Sequence, residues 1–443
     1  MSSTLNGGRE STCWSPVSWK QKGIYSQQVK YNDNATLDRA CAQIGRLPPL
    51  VNPTTIDELK KHFAAAARGS AFILVGGDCA ENFDEVQESI IRGKYSLLRD
   101  QAASIESAMQ VPVHIIGRIA GQYAKPRSQP METLSTGEVV HAFRGHNVNG
   151  IEVQERDPDP ARLVQGYLFA AATMNCLSAA SRNEGREVWS SHEALHLELE
   201  SCQTKELYNT SAGFLWLGER TRQIDGAHIE YLRGIENPLG VKIGPTTTPQ
   251  NLLAVLKTLC PETTMSDGRI TLITRLGVAN VEKVLPPLVQ AVKRSQYRVV
   301  WMSDPCHGNG MVVDGTKTRS MSAMLDEVRN TINVLRQNGI SLGGLHLEQT
   351  GEDVNECIAY HPVDDSIKLE NGERYRTLCD PRLSGVQARR LVHDVAGMLR
   401  REVSQQDQKE TELQWTGWLD ISWIKRTRLI VEGLATLKRL FLS

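Results

Sequence analysis

Eight short hydrophobic runs punctuate the chain between residues 71 and 347, and polar residues capable of chemistry follow most of them. The runs are Ala71–Val75, Val111–Ile116, Glu187–Trp189, Gly213–Leu217, Pro238–Val241, Ile270–Ile273, Arg298–Met302 and Leu342–Leu347. Strands that are buried on both faces of a parallel sheet read as continuous apolar runs. The pattern therefore predicts eight parallel strands.

Amphipathic segments lie between most of these runs and beyond the last one, with apolar residues at helical spacing. Examples are Val281–Arg294, Ser322–Gln337 and Gly385–Val403. Eight alternations of strand and helix predict an α/β protein whose sheet closes into a (β/α)8 TIM barrel. Active sites of such barrels form at the C-terminal ends of the strands, so we expect the functional residues directly after each run.

The chain divides into three predicted parts: an N-terminal extension (1–70), the catalytic barrel (71–403) and a C-terminal tail (404–443). The extension is polar and proline-punctuated, with one helical stretch at Thr54–Arg68. The interval between the second and third runs is far longer than one barrel unit needs. We expect an insertion there, including Arg144–Gly150, that folds over the mouth of the barrel.

The tail is rich in tryptophan and ends in an apolar helical stripe within Arg426–Leu442. This pattern predicts a helix that docks on the barrel or on a neighbouring subunit. A regulatory or partner-binding element is the alternative.

Charge and composition exclude several classes of protein. Lys and Arg number 50 against 51 for Asp and Glu, which gives no indication of nucleic-acid or membrane-surface binding. The first ten residues are polar, and no run approaches the roughly 18 apolar residues that cross a bilayer. We expect a cytoplasmic homo-oligomer. The nine cysteines are odd in number and scattered, which argues against a disulfide framework or structural zinc.

Cations follow several of the predicted strands. The segment Gly117-Arg-Ile-Ala-Gly-Gln-Tyr-Ala-Lys-Pro-Arg-Ser128 suits close approach to a phosphate or carboxylate, although it could also be a solvated basic loop. Runs four, five and six are followed by Glu219-Arg220, Lys242 and Arg275. Unpaired cations facing one cavity would repel one another, so together they indicate a doubly anionic substrate; singly, each could be an ion-pair partner, with Glu219 a candidate.

Four other residues near strand ends have metal-ligating side chains: Cys79, His307, Glu348 and Asp380. A mixed set of sulfur, nitrogen and oxygen ligands favours Mn²⁺, Fe²⁺, Co²⁺ or Zn²⁺ over Ca²⁺ or Mg²⁺. Taken singly, a buried cysteine or a solvated glutamate is the ordinary interpretation. Their joint placement at barrel ends is what indicates a metal site.

Several motifs of this chain together resemble a known family, the type II (plant-like) 3-deoxy-D-arabino-heptulosonate 7-phosphate (DAHP) synthases. The similar segments run from about Ser15 to Arg401 in the family's order. They are Gly76-Gly-Asp-Cys-Ala-Glu-Asn-Phe83, the Gly117–Ser128 segment, Ser191-His-Glu-Ala194, Trp216-Leu-Gly-Glu-Arg-Thr-Arg-Gln-Ile-Asp-Gly-Ala-His228, Gly240-Val-Lys-Ile-Gly-Pro245, Asp304-Pro-Cys-His-Gly-Asn309, His346-Leu-Glu348, Gly351-Glu-Asp-Val-Asn-Glu-Cys357 and Cys379-Asp-Pro-Arg-Leu383.

The resemblance implies condensation of phosphoenolpyruvate with erythrose 4-phosphate, the first step of the shikimate pathway to the aromatic amino acids, with a divalent metal such as manganese or cobalt. It implies three groups of residues. Cys79, His307, Glu348 and Asp380 would be the metal ligands. Arg118, Arg220, Lys242 and Arg275, with the backbone around Glu219, would hold phosphoenolpyruvate, and Lys125, Pro126, Arg127 and Ser128 would hold the aldose phosphate. Lys242 and His307 would be the catalytic residues that move protons.

Two departures from the family pattern leave alternatives open. The interval between runs two and three is shorter than in the longest members, so the chain resembles a short subgroup associated with secondary metabolism. The lid reads Arg144-Gly-His146 where the family commonly has Arg-Gly-Asp. An imino or amino analogue of erythrose 4-phosphate is therefore an alternative second substrate, and a non-catalytic regulatory paralogue is an alternative of another class. We also expect Cys379 to lie near Cys79, where oxidation of the pair would displace the metal.

Overall fold

The computed structural model describes residues 14–134, 136–359 and 374–400. Within them the strands are β1 Phe72–Gly77, β2 Val113–Arg118, β3 Met131–Thr133, β4 Val139–His141, β5 Val188–Glu193, β6 Thr204–Lys205, β7 Tyr208–Asn209, β8 Phe214–Leu217, β9 Leu239–Ile243, β10 Ile270–Thr274, β11 Val300–Ser303, β12 Gly310–Val313, β13 Thr316–Arg319 and β14 Gly344–Glu348. The predicted C-terminal tail lies outside the described residues.

The helices follow most of the barrel strands. They are α1 Asn34–Arg46, α2 Pro53–Ala67, α3 Glu88–Met109, α4 Ala161–Glu184, α5 Leu197–Cys202, α6 Ala227–Leu232, α7 Pro249–Leu259, α8 Val281–Ser295, α9 Pro305–Gly308 and α10 Met321–Gln337, and a last helix spans 385–400. Short 3-10 helices lie at Ser18–Gln21, Phe83–Glu85, Val153–Glu155, Glu219–Thr221 and Thr263–Met265.

Eight strands close into a parallel barrel in the order β1-β14-β11-β10-β9-β8-β5-β2. The predicted TIM-barrel fold is confirmed, and each of the eight hydrophobic runs overlaps one barrel strand. The third run, Glu187–Trp189, is only the start of β5, which continues to Glu193. The barrel strands therefore end close to the polar residues that the sequence pattern predicts to be functional.

Helix α2 closes the N-terminal end of the barrel, opposite the strand ends that carry the polar residues. Asn52 caps it by accepting a hydrogen bond from the Thr54 N–H, and Pro53 begins the helix. Leu59 and Phe63 are fully buried among residues that point into the barrel, and the Phe63 and Phe214 rings stack with centroids 4.7 Å apart. The segment predicted as an extension thus contributes to the barrel core, while the division into domains stays a prediction.

The predicted insertion between β2 and β5 contains the β3–β4 hairpin and α4. Helix α4 is long and apolar enough to cross a membrane by length and composition alone, the one such helix among the described residues. It packs against α1 and α3, and 39% of its apolar window is buried. Because core helices of soluble proteins pass the same test, this is weak evidence for a membrane span.

Candidate active site

The C-terminal ends of three neighbouring strands bring an arginine and a glutamate to the same level of the barrel. In the parallel register Gly77 of β1 lies opposite both Arg118 of β2 and Glu348 of β14. Nη2 of Arg118 donates a 3.0 Å hydrogen bond to Oε1 of Glu348, and both side chains are almost fully buried. Residues from the predicted metal and anion groups are therefore in direct contact.

The predicted metal ligands come together at this level. Ligand atoms of Cys79, Glu348 and Asp380 all lie within 4.8 Å of one another. Nε2 of His307 lies 3.0 Å from Oε1 of Glu348. Metal–ligand bonds of about 2.0–2.3 Å allow ligand atoms to be at most roughly 4.6 Å apart, so the cluster fits one small divalent cation after a slight adjustment. One thiol, one imidazole and two carboxylates are also the donor set of a borderline transition metal.

Lys125 places its ammonium group among these ligands. It hydrogen-bonds the Cys79 sulfur and lies 3.0 Å from Oδ2 of Asp380 and 3.8 Å from Oε1 of Glu348. Burial raises the pKa of Asp380, but Lys125 outweighs that effect, and the pKa lies well below its ordinary value. Burial and the negative neighbours, among them Glu348, raise the pKa of the Cys79 thiol. The cluster is thus anionic and stabilised by positive charge.

Asp304, at the end of β11, orients His307. Its Oδ2 lies 2.7 Å from Nδ1 of His307, which leaves Nε2 facing Glu348. A carboxylate behind a ligating imidazole fixes the ring and raises its basicity. Asp304 also bonds the ammonium of Lys242, and His307 and Lys242 together hold the pKa of Asp304 well below the ordinary value despite complete burial.

The cationic side of the site surrounds the indole of Trp216. Cζ of Arg118 lies 5.0 Å from the centroid of the ring, and Nζ of Lys242 lies 5.8 Å from it. Burial lowers the pKa of Lys242, and Asp304 opposes that shift. The indole face is a favourable surface for both cations.

Several of the cations that the sequence pattern predicts to be unpaired have anionic partners in the structure. Arg118 pairs with Glu348 and Lys242 with Asp304, as described above. Glu219 is the ion-pair partner of Arg222, at 2.8 Å, so its carboxylate is turned to a neighbouring cation. Arg220 and Arg275 instead donate hydrogen bonds to uncharged groups. Arg220 lies 3.5 Å from the Ser128 hydroxyl, and Arg275 lies 2.8 Å from the His307 carbonyl. Of the cations predicted to hold phosphoenolpyruvate, Arg220 and Arg275 are therefore those whose charge no described carboxylate neutralises at ion-pair distance.

Two adjoining cavities open at the strand ends. The inner one, of about 210 Å³, is lined by Arg118, Gln122, Lys125, Pro126, Glu193, Trp216, Gly218, Glu219, Arg220, Lys242, Arg275, His307 and Asp380. The outer one, of about 390 Å³, is lined by residues that include Lys125, Pro126, Arg127, Ser128, Arg220, Lys317 and Asp380. A larger cavity of about 650 Å³ lies beside Trp189 toward the other end of the barrel, and none of the predicted site residues lines it.

The structure adds residues that the sequence patterns did not reveal. Glu193, at the end of β5, lines the inner cavity, and burial raises its pKa while Lys125 and Lys242 oppose the rise. Arg319, on β13, pairs with Oε2 of Glu348 at 2.7 Å. Glu193 lies four residues beyond the third run, at the end of the strand that this run begins, so its position was an available signal. Arg319 lies on a hairpin outside the barrel, and only the fold brings it to Glu348.

The lid residue His146 packs away from both cavities. Its ring lies 5.0 Å from that of Phe83 and 5.4 Å from that of Phe143, and it lines neither the inner nor the outer cavity. Burial lowers its pKa, so the imidazole is neutral at physiological pH. The hairpin β3–β4 is the part of the insertion beside the mouth, where Met131 and Glu132 line the outer cavity.

Residues 14–185 and 180–396 match the class-II DAHP synthetase family. Three similar proteins carry the name phospho-2-dehydro-3-deoxyheptonate aldolase. The one from Neurospora crassa is 38% identical over 472 residues, covering 90% of this chain and 96% of the relative. The one from Streptomyces coelicolor is 38% identical over 434 residues, with coverages of 85% and 95%, and that of Mycolicibacterium smegmatis, AroG, is 36% identical over 417 residues, with coverages of 80% and 88%.

A solved structure of the same-named aldolase from Francisella tularensis superposes with a TM-score of 0.50 at 11% identity. The match covers 86% of this chain and 97% of that one. At this identity the likeness supports the barrel fold alone.

Proposed function

This chain belongs to the class-II DAHP synthetase family, and from that premise we propose that it condenses phosphoenolpyruvate with erythrose 4-phosphate to give DAHP and phosphate, in a metal-dependent reaction. The observation that carries the proposal is the contact between the two groups of residues in one cavity. Arg118 of the anion group bonds Glu348 of the metal group at 3.0 Å. A substrate phosphate held by the cations would therefore lie beside the metal ligands.

Three arginines and a lysine would bind phosphoenolpyruvate. Arg220, Lys242 and Arg275 line the inner cavity together with Arg118, and guanidinium groups bind carboxylate and phosphate through paired hydrogen bonds. Fixing both reactants in one orientation removes much of the entropic barrier of a bimolecular reaction. Lys125, Pro126, Arg127 and Ser128 line the outer cavity, which adjoins the inner one and would take the aldose phosphate.

Cys79, His307, Glu348 and Asp380 would hold the metal, whose chemistry when bound is Lewis-acid polarisation of the aldehyde oxygen. Lys242 and Asp304 are hydrogen-bonded to each other inside the site and could hold or release a proton next to the substrate. Glu193 is positioned to accept a proton from water that enters the inner cavity, because burial raises its pKa.

Phosphate release from phosphoenolpyruvate tests the proposal. The full chain is supplied with Mn²⁺ or Co²⁺ and either erythrose 4-phosphate or its amino analogue, and we expect release with erythrose 4-phosphate. Turnover with the amino analogue alone would establish the alternative substrate. His146 gives that alternative no support, since its ring packs between two phenylalanines rather than facing the cavities.

The non-catalytic alternative needs a separate experiment. A Cys79→Ala variant that retained the full biological effect of the wild type in cells would support a regulatory role. Loss of that effect together with loss of phosphate release is the outcome expected of an enzyme.

A further inference from the structure

A carboxylate outside both cavities binds the backbone of the loop 119–122, which lies between Arg118 and Lys125. Glu81 is 4% exposed and lines neither the inner nor the outer cavity. Its oxygens accept hydrogen bonds from three consecutive backbone N–H groups, those of Ala120 at 3.0 Å, Gly121 at 2.9 Å and Gln122 at 2.8 Å. The N–H of Glu81 in turn donates to the Gln122 carbonyl at 2.9 Å. One residue therefore makes four hydrogen bonds to three residues of the loop.

The conformation held by these bonds is one that the loop would not readily adopt alone. Ala120 has a φ of +63°, in the left-handed region that residues with a Cβ rarely occupy. Successive N–H groups pointing inward form a concave site for an anion, and here the Glu81 carboxylate fills it. A Cβ at Gly121 would lie 2.5 Å from Nδ1 of His192, so the loop is also packed closely against β5.

The loop connects two residues of the proposed site. Arg118 precedes it at the end of β2, and Lys125 follows it. Its last residue, Gln122, accepts a hydrogen bond from the N–H of Glu193 at 2.9 Å and donates to the Ala124 carbonyl at 3.0 Å. The distance from Arg118 to Lys125 depends on this loop, and so does the contact of Gln122 with β5.

We propose that Glu81 is a positioning residue that fixes Arg118 and Lys125 for substrate binding by clamping the N–H groups of Ala120, Gly121 and Gln122. This inference rests on the proposed function, because it takes phosphoenolpyruvate as the ligand of the inner cavity. Glu81 touches no substrate and acts only through the loop.

Charge and positioning make opposite predictions for this residue. Glu81 contacts the loop between Arg118 and Lys125, so if its charge alone mattered, removing that negative charge would strengthen the binding of an anion. If the clamp matters, the amide of Glu81→Gln turns a donor toward N–H donors and the loop loosens, which weakens binding. The sign of the change therefore separates the two roles.

Glu85 offers a matched control in the same segment. Its carboxylate lies 3.3 Å from Nζ of Lys94 and 3.7 Å from Nη1 of Arg382, and it accepts no hydrogen bond from the loop. Glu85→Gln removes the same charge and leaves the clamp in place. Glu81→Asp does the reverse, because it keeps the charge and shortens the reach by one methylene.

The experiment is calorimetric titration of phosphoenolpyruvate into the Mn²⁺-loaded full chain, without an aldose and therefore without turnover. We expect the Kd to rise at least about fivefold in Glu81→Gln and Glu81→Asp and to stay within about twofold in Glu85→Gln. In the complete reaction the KM values should rise more than kcat falls. A Kd for Glu81→Gln equal to or below that of the wild type would overturn the clamp.

Thermal melting shows whether each variant is folded before titration, and Glu81→Asp carries the comparison should Glu81→Gln lack a native transition. A wild type that fails to bind phosphoenolpyruvate refutes the proposed function. A wild type that binds it, beside Glu81 variants that bind equally well, refutes the clamp alone.

Discussion

The carboxylate of Glu348 accepts a 3.0 Å hydrogen bond from Nη2 of Arg118 and lies at the same distance from Nε2 of His307. A single buried carboxylate thus joins the side chain proposed to bind phosphate to the imidazole proposed to bind metal. Burial raises its pKa, but His307, Lys125 and the two arginines outweigh that effect and keep it well below the ordinary value. It remains an anion across the physiological range.

Glu348→Gln should lower the affinity for Mn²⁺ at least about tenfold, because a neutral amide replaces an anionic ligand among positive neighbours. Calorimetric titration of the metal-free protein measures the change. Glu352→Gln is the control, since that carboxylate lies four residues further on and pairs with Arg376 at 3.4 Å. Equal affinities in Glu348→Gln and the wild type would remove Glu348 from the ligand set.

Metal-free protein should form a disulfide between Cys79 and Cys379. The neighbouring Cys79 thiol lowers the pKa of Cys379 to about 7, which favours the reactive thiolate beside it. With hydrogen peroxide as oxidant, two thiols lose two protons and two electrons, and the peroxide becomes two waters. Mass mapping of the air-exposed or peroxide-treated metal-free protein should find the linked peptides, whereas Mn²⁺-loaded protein should be protected. Both thiols free after oxidation would contradict the prediction.

The barrel was predictable from sequence because its strands are buried on both faces. Runs such as Ile270–Ile273 must be apolar throughout, and β10 indeed spans Ile270–Thr274. The strand ends were predictable for the same reason, which is why Arg118 and Glu348 were found. What the sequence cannot display is pairing across the barrel: Asp304 follows a run, but nothing local indicates that it bonds Lys242, which lies 62 residues earlier in the chain.

The same limit applies to the cations that follow the barrel strands. Arg222 lies two residues after Arg220 in the segment that follows the fourth run, but its contact with Glu219 places it in an ion pair. The clamp by Glu81 is another long-range relationship, since 39 residues separate it from Ala120. Local patterns indicate which residues lie at the mouth, and only the fold determines which of them neutralise one another.

Phe63→Ala should lower the free energy of unfolding by about 3–5 kcal/mol, because it opens a cavity where α2 closes the barrel. Phe63 is 1% exposed and stacks on Phe214. Urea unfolding followed by circular dichroism measures the loss. Val386→Ala is a control, as that side chain is 76% exposed on the last described helix. A loss below about 1 kcal/mol would mean that α2 is an addition to the barrel and not part of its core.

The buried carboxyl of Glu327 should contribute less to the stability of the protein as the pH rises from about 5 to 8. Burial raises its pKa from 4.5 to about 7, against hydrogen bonds from the Leu276 N–H at 2.9 Å and the Asn309 amide at 2.6 Å. Between these values the folded state holds a proton that the unfolded state releases, so folding is favoured at the lower pH and loses up to roughly 3 kcal/mol as the pH rises through 7. Glu327→Gln, which is neutral at every pH, should remove that part of the dependence.

Urea titrations at pH 5 and pH 8 give the free energies of unfolding of the wild type and of Glu327→Gln. The contributions of the other titrating groups cancel in the difference between the two proteins, because both contain them. Glu282→Gln, on the exposed face of α8, is the control. Parallel changes with pH in Glu327→Gln and the wild type would show that Glu327 is ionised in the folded protein throughout this range.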